Sequence, residues 1–183
     1  MITMEGGDAP DATVSLRPIG EDDLPLVVAR LADPDSMGPF QWFGWTVPHR
    51  WRRVWAANGL LGPDGGRLLV VEGGESVGFV AWRRIARGVS SCWNAGIVLW
   101  PHARGRGIGT RAQRLLVRYL FAHTLAARVE SDTDVDNIAE QRALEKAGFT
   151  REGVLRSYGF RDGAWHDSVL YAVVRADLAP EAD

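Results

Sequence analysis

The pattern of apolar and polar positions between residues 95 and 119 predicts a strand, a glycine-rich turn and a helix. An apolar run over 96–100 ends at Pro101. After the turn, apolar residues recur at the spacing of one helix face, at Ile108, Ala112, Leu115, Leu116 and Tyr119. The rest of the chain is interpreted around this unit.

The remaining pattern predicts short strands and helices on both sides of the unit. Alternation and turn signals predict strands over 13–19, 67–72, 77–85, 90–100, 128–132, 150–158 and 165–175. Helical periodicity predicts helices over 22–32, 48–58, 108 to about 122, and 136–147. Turns are predicted over 62–66, 73–76 and 161–163, and the aromatic segment 33–47 is predicted to be irregular.

This order of elements predicts an α+β fold with a mixed, mostly antiparallel central sheet flanked by helices. We expect a single domain over residues 13–178. Residues 1–12 are predicted to form a disordered N-terminal tail, and 179–183 a C-terminal tail.

Composition and charge narrow the classes of function. A length of 183 residues suits one domain, and the net charge of −2 disfavours nucleic acid as the main partner. We expect no membrane partner, because the chain shows neither a membrane-length apolar run nor a signal-peptide pattern. The single cysteine, Cys92, lies in a predicted strand and fits a core position in a cytoplasmic protein.

The glycine-rich turn, residues 104–109, has the chemistry of an anion site. Its glycines let the backbone approach a ligand closely, and the first N–H groups of the following helix point at that ligand. The cations Arg104, Arg106 and Arg111 cluster here, as a polyphosphate site requires. The alternative is a tight glycine turn before a basic helix.

Spacing separates this turn from two common phosphate-binding loops. Thr110 follows Gly109 without a preceding lysine, unlike a Walker loop. The glycines at 105, 107 and 109 also do not fit the G-x-G-x-x-G dinucleotide fingerprint.

The spacing of Arg104, Gly107 and Gly109 resembles the pyrophosphate loop, Arg/Gln-x-x-Gly-x-Gly/Ala, of the GNAT superfamily of acyl-CoA N-acyltransferases. Asn137 followed by LEKAGF at 144–149 is similar to a helix motif of that family. The stretches EGVLR at 152–156 and RDGAWHDS at 161–168 resemble the branch that contains ribosomal-protein N-terminal-alanine acetyltransferases and small-molecule-modifying relatives. The resemblance covers about residues 13–178 and implies the GNAT fold.

The resemblance also implies acetyl-CoA as cofactor, with no metal. The strands at 96–100 and 128–132 should run parallel and splay, and the pantetheine arm should lie in the splay. A backbone N–H near Val98 or Leu99 would polarise the thioester carbonyl, as in an oxyanion hole. The pyrophosphate would bind the loop residues Arg104, Gly105, Arg106, Gly107, Ile108, Gly109 and Thr110. Asn137 matches a pantetheine-binding residue, although a plain helix N-cap is the alternative.

Two departures from the branch leave the proton-transfer residues open. A glutamate often stands two residues before the position of Gly96, where this chain has Asn94, which cannot be a base. Three residues after Asn137 the branch often has a serine, the proposed thiolate acid, where this chain has Glu140. Glu140 is either a relocated catalytic acid/base group or a solvated helix residue. Further titratable or polar candidates are His102, Ser131, Tyr158, His166 and Asp167.

The resemblance implies an N-acetyltransferase in which a primary amine attacks the thioester directly. The acceptor would be a small molecule or a peptide or protein N-terminus, and Trp42, Trp45 and Tyr158 are candidate acceptor-binding residues. The aromatic segment could instead be a flap that closes the core. An alternative function, motivated by Asn94 and Glu140, is a non-catalytic acyl-CoA sensor or interaction domain. The apolar strand at 165–175 fits either a homodimer interface or a central strand.

Overall fold

The computed structural model describes residues 2–3, 13–45, 47, 49–87 and 90–178, and the strands within them form one sheet. The strand order is β1-β2-β4-β5-β6-β7-β9-β8, with β3 paired to β4. The strands are β1 (Ile2–Thr3), β2 (Val14–Pro18), β3 (Leu61–Gly62), β4 (Gly65–Glu72), β5 (Glu75–Arg87), β6 (Ser90–Leu99), β7 (Arg128–Asp134), β8 (Thr150–Arg161) and β9 (Ala164–Val174).

Five helices pack around this sheet in the described part of the chain. They are α1 (Leu24–Leu31), α2 (Pro34–Met37), α3 (His49–Asn58), α4 (Ile108–His123) and α5 (Ile138–Lys146). Short 3₁₀ turns occupy Glu21–Asp23, Pro101–Ala103 and Arg175–Asp177. The predicted helices and strands, and the mostly antiparallel α+β architecture, are confirmed, with differences of a few residues at their ends.

The prediction that 33–47 is wholly irregular is wrong, because α2 lies within it. Asp33 caps this helix by accepting a hydrogen bond from the Asp35 N–H at 3.1 Å, and Pro34 occupies the first helical position. The predicted turn at 62–66 is also shorter, because Gly62 pairs with Gly65 across β3 and β4.

Some predictions fall on residues that the structure does not describe. The predicted tail at 179–183 lies outside the described residues, as does Pro48 at the start of the third predicted helix. Of the predicted tail at 1–12, the structure describes Ile2–Thr3, which pairs antiparallel with β2.

The feature that positions the site is the parallel contact between β6 and β7. These strands pair only at Trp93 with Val129 and at Asn94 with Glu130. Beyond that point β6 continues to Leu99 and β7 to Asp134 without further pairing between them. The predicted parallel, splaying strands are therefore confirmed, and a gap opens at their carboxyl ends.

The sheet carries a hydrophobic core on each face. On one face, α4 and α5 bury residues such as Ile108, Leu116 and Leu144 against the sheet. On the other face, α1 and α2 cover a second core that includes Val27 and Trp100. Cys92 is buried, as predicted.

Strand β9 lies between β7 and β8, and this position accounts for its two apolar faces. The apolar faces of β9 therefore need no dimer interface to explain them, and the homodimer stays a prediction. In the ranges that the structure describes, the helices are too short or too polar to cross a membrane.

Candidate functional site

A cavity of about 500 Å³ opens where β6 and β7 diverge. Its walls come from four parts of the chain: the segment 37–41 after α2, the end of β6, the glycine-rich loop and one face of α5. The lining residues include Phe40, Gln41, Val98, Leu99, Arg104, Gly105, Gly107, Gly109, Thr110, Asn137 and Glu140.

The loop has the backbone geometry that an anion site requires. Gly105 and Gly107 adopt positive φ angles of 73° and 74°, which favour glycine, and Gly107 is the N-cap of α4. Gly109 lies in the first turn of α4, where an added Cβ would meet only Leu99 Cδ1, at 3.6 Å. The backbone of the first turn of this 16-residue helix is therefore not covered by side chains where it borders the cavity. The positive end of the helix dipole lies at the same place.

Of the three clustered arginines, Arg104 has its own partners, whereas Arg106 and Arg111 share Glu72. Arg104 donates from Nε to the Leu99 carbonyl at 2.9 Å and from Nη2 to the Ser36 carbonyl, so it joins β6 to α2. Arg106 Nη1 lies 2.9 Å from Glu72 Oε2, and Arg111 Nη2 lies 3.7 Å from Glu72 Oε1. The side chain of Arg106 is thus held by Glu72. Arg106 is not among the residues that line the cavity. Ile108 is fully buried beneath the loop.

The open edge of β6 presents alternate backbone groups to the gap. Trp100 donates its N–H to the Val77 carbonyl at 2.9 Å, so Val98 bonds to β5 in the same register. The backbone groups of Ile97 and Leu99 consequently point to the β7 side. Two side-chain contacts agree with this direction: Gln41 Nε2 donates to the Ile97 carbonyl at 3.2 Å, and Arg104 donates to that of Leu99.

This geometry distinguishes the two backbone donors expected from the sequence. The Leu99 N–H points into the gap, whereas the Val98 N–H points towards β5. Ile97 and Gln41 were missed, because their roles depend on which edge of β6 remains unpaired.

Asn137 makes the hydrogen bonds of a helix N-cap and also lines the cavity. Its Oδ1 accepts from the Glu140 N–H at 3.3 Å, and its Nδ2 donates to Thr133 Oγ1 at 3.0 Å. The capping alternative is therefore present in the structure, beside a position that could contact a ligand.

Glu140 occupies the same wall of the cavity. It is partly buried and accepts a hydrogen bond from Gln113 Nε2 at 3.1 Å. Burial raises the pKa of Glu140 to about 7, although the hydrogen bond from Gln113 lowers it in part. The alternative that Glu140 is a solvated helix residue does not fit this partly buried environment. Gln113 lies on α4 and was missed, because the sequence does not show which side chain of α4 meets α5.

A row of polar side chains lies on the sheet face opposite α4, beside the point where β6 and β7 separate. Arg83 Nε donates to Asn94 Oδ1 at 3.1 Å, and Asn94 Nδ2 donates to Asp132 Oδ1 at 2.8 Å. Asp132 was not identified from the sequence, where it marks the end of a predicted strand.

The predicted acceptor residues do not line the cavity. Trp42 packs on the second core, with its ring edge-to-face on Trp45 at 5.1 Å. Trp45 and Tyr158 are 78% and 45% exposed. Phe40 is the aromatic residue of this segment that reaches the cavity, and the Arg161 guanidinium lies 5.4 Å from its ring centre.

The other candidates lie outside the cavity lining. His102 is exposed and Ser131 is buried in β7. His166 Nδ1 lies 3.7 Å from Asp134 Oδ2, and Asp167 accepts from the Ser157 N–H at 2.8 Å. The structure therefore brings together the loop, Leu99, Asn137 and Glu140, but not these residues.

A family model described as an acetyltransferase (GNAT) domain matches residues 13–150. A probable N-acetyltransferase, YjcK, from Bacillus subtilis is 35% identical over 101 residues, which cover 55% of this chain and 56% of that protein. The [ribosomal protein uS5]-alanine N-acetyltransferase of Escherichia coli is 26% identical over 106 residues, 58% of this chain and 55% of that protein. The chain thus spans about half the length of the curated relatives that it matches.

Among solved structures, Mycobacterium smegmatis RimJ in complex with CoA-disulfide is similar to this fold. The TM-score is 0.78 at 25% sequence identity, covering 93% of this chain and 86% of that one.

Proposed function

Because the chain belongs to the acetyltransferase (GNAT) family, we propose that it transfers an acetyl group from acetyl-CoA to a primary amine. The observation that carries this proposal is the single cavity that joins a glycine-rich helix N-terminus to the unpaired edge of β6. The helix N-terminus offers N–H donors for a pyrophosphate. The unpaired edge of β6 offers N–H donors for the extended pantetheine arm, which ends in a thioester.

The loop residues are proposed to hold the phosphates. The N–H groups between Gly105 and Thr110 supply the donors, and the dipole of α4 favours the negative charge. Ile108 contributes only its backbone, because its side chain is buried. Arg104 holds the end of β6 in place, and Arg106 holds the loop through Glu72.

The backbone of β6 is proposed to stabilise the oxyanion. Attack by the amine forms a C–N bond and moves negative charge onto the thioester oxygen, where a fixed N–H donor stabilises it. The Leu99 N–H points into the gap. The Ile97 N–H points the same way, two residues closer to the place where β6 and β7 separate. The side chain of Val98 contributes apolar wall.

Glu140 is proposed as the acid that protonates the leaving thiolate. The ammonium first releases a proton to solvent water and attacks as a neutral amine. When the C–S bond breaks, the sulfur of CoA takes up a proton. With its pKa raised to about 7, Glu140 is protonated in a large fraction of molecules at neutral pH and can donate. Asn137 positions this residue through the start of α5.

The acceptor is proposed to be a small-molecule amine or a peptide N-terminus. It would approach from the side of segment 37–41, with Phe40 as the inner wall and Trp42, Trp45 and Tyr158 as outer contacts. Aromatic rings offer cation–π contact to an ammonium, worth about 0.5–2 kcal/mol each.

Release of free CoA thiol from acetyl-CoA tests this proposal. The protein is incubated with acetyl-CoA and one amine at a time: phenethylamine, an alanyl peptide or spermidine. We expect amine-dependent thiol release with at least one of them. Binding of CoA without thiol release for any amine would favour the non-catalytic sensor domain instead.

A further inference from the structure

The polar row formed by Arg83, Asn94 and Asp132 lies on the sheet face opposite α4. Asn94 and Val98 are four residues apart along β6 and therefore lie on the same face of the strand. The Val98 side chain belongs to the second core, which identifies that face. Asp132 reaches the same face, because it accepts the Asn94 hydrogen bond at 2.8 Å. This places a carboxylate beside the vertex of the β6–β7 gap.

Open space adjoins that carboxylate. Gly96 lies on the same face of β6, is exposed, and has no atom within 4 Å of where a Cβ would be. Asn94 pairs with Glu130 in the parallel register of β6 and β7. Two residues further along both strands, Gly96 lies level with Asp132. Asp132 itself is only partly buried.

The neighbouring carboxylates on this face of β7 are neutralised by arginines. Glu130 Oε1 lies 2.8 Å from Arg128 Nε, and Asp134 Oδ2 lies 2.9 Å from Arg161 Nη1. In the described ranges Asp132 contacts a neutral amide and forms no ion pair. Arg83 acts on it only through Asn94, so Asp132 supplies one uncompensated negative charge.

We propose that Asp132 binds the ammonium group of the acceptor, with Asn94 and Arg83 as positioning residues. This inference rests on the proposed function. The thioester held at Ile97 or Leu99 lies one to three residues along β6 from Gly96, about 3–10 Å at the rise of a strand. An ammonium on Asp132 therefore lies close to that carbonyl, and its nitrogen attacks once it has released a proton to solvent water.

The charge arrangement also selects the class of acceptor. A single uncompensated carboxylate between two ion-paired ones matches one ammonium group. The site fits a monoamine or a peptide N-terminus rather than a polycation, because the flanking carboxylates Glu130 and Asp134 are already paired with Arg128 and Arg161.

The test compares wild type with Asp132→Asn, which keeps the side-chain shape and can still accept from Asn94. We expect the KM for phenethylamine to rise about 10- to 100-fold, since a charged hydrogen bond is lost. The KM for acetyl-CoA and the Tm should stay unchanged. The matched control is Glu152→Gln, which alters a carboxylate already paired with Arg128 and should leave both KM values unchanged. Asn94→Ala, which keeps the charge but loosens the carboxylate, should raise the amine KM by less.

Equal amine KM values in wild type and Asp132→Asn would overturn the inference, as would an equal rise in both KM values. Stronger turnover of spermidine than of phenethylamine and the alanyl peptide would overturn the monocation preference. A wild type that acetylates no amine would instead refute the proposed function. In that case, calorimetry of phenethylamine binding to the CoA-loaded protein still decides the role of Asp132: binding must weaken about tenfold or more in Asp132→Asn, and equal or absent binding would refute it.

Discussion

At the scale of single residues, Glu140 couples the cavity to the stability of the fold. Its pKa is raised by burial to about 7, from 4.5 in an unfolded chain. Between these two values the folded protein keeps a proton that the unfolded chain has released. Glu140 therefore favours folding at low pH, and this contribution is lost as the pH rises towards 7.

We predict that Glu140→Gln stabilises the protein at pH 8 by about 1–3 kcal/mol, because glutamine removes the cost of a partly buried charge. The gain should be much smaller at pH 5, where folded Glu140 is mostly protonated. Urea unfolding at both pH values measures the difference, with Glu75→Gln at the exposed start of β5 as control. A gain that is the same at both pH values would contradict the assignment.

Gly109 tests the close approach of a ligand to the loop. Its backbone is helical and a Cβ would touch only Leu99. We predict that Gly109→Val lowers CoA affinity at least about tenfold with little change in Tm, because its branched side chain fills the cavity at the helix N-terminus. Calorimetry measures the affinity. Gly153→Val, at an open position in β8, is the control, and CoA affinity equal to wild type in Gly109→Val would exclude this binding mode.

The residues of the site that could be predicted from the sequence are those in local motifs. The loop glycines and Asn137 follow from spacings of a few residues. Gln113, Asp132 and Gln41 were not predictable, because their partners lie 27, 38 and 56 residues away. The pairing of Arg106 with Glu72 joins the glycine-rich loop to the distant strand β4 in the same way.

At the scale of elements, the termini of two helices shape the cavity. The N-terminus of α4 presents the loop, and the N-terminus of α5 carries Asn137 and Glu140. These helices were predictable from their length and periodicity. Helix α2 was not, because four residues are too few to show a helical period.

The cap of α5 has a measurable stability. We predict that Asn137→Ala lowers the free energy of unfolding by about 1 kcal/mol, since the Glu140 N–H loses its acceptor. Asn137→Asp keeps that acceptor and should recover most of the loss. Urea unfolding of both variants measures the effect, and equal losses would mean that the donor to Thr133, not the cap, matters.

At the scale of the whole molecule, the order of elements sufficed to predict the α+β fold. It also predicted that β6 and β7 run parallel and separate, and the structure confirms this. The position of the proposed acceptor site could not be predicted, because Asn94 and Asp132 are 38 residues apart and meet only through the pairing of β6 with β7.

The proposed function assigns to this cavity the transfer of an acetyl group from acetyl-CoA to an amine. The most direct test supplies acetyl-CoA with an isotopically labelled acetyl group, together with phenethylamine or an alanyl peptide, and follows the amine by mass spectrometry. We predict that wild type forms labelled N-acetyl product in an amount equal to the released CoA, and that Gly109→Val forms little product. Thiol release without labelled amine, or equal product from Gly109→Val, would contradict it.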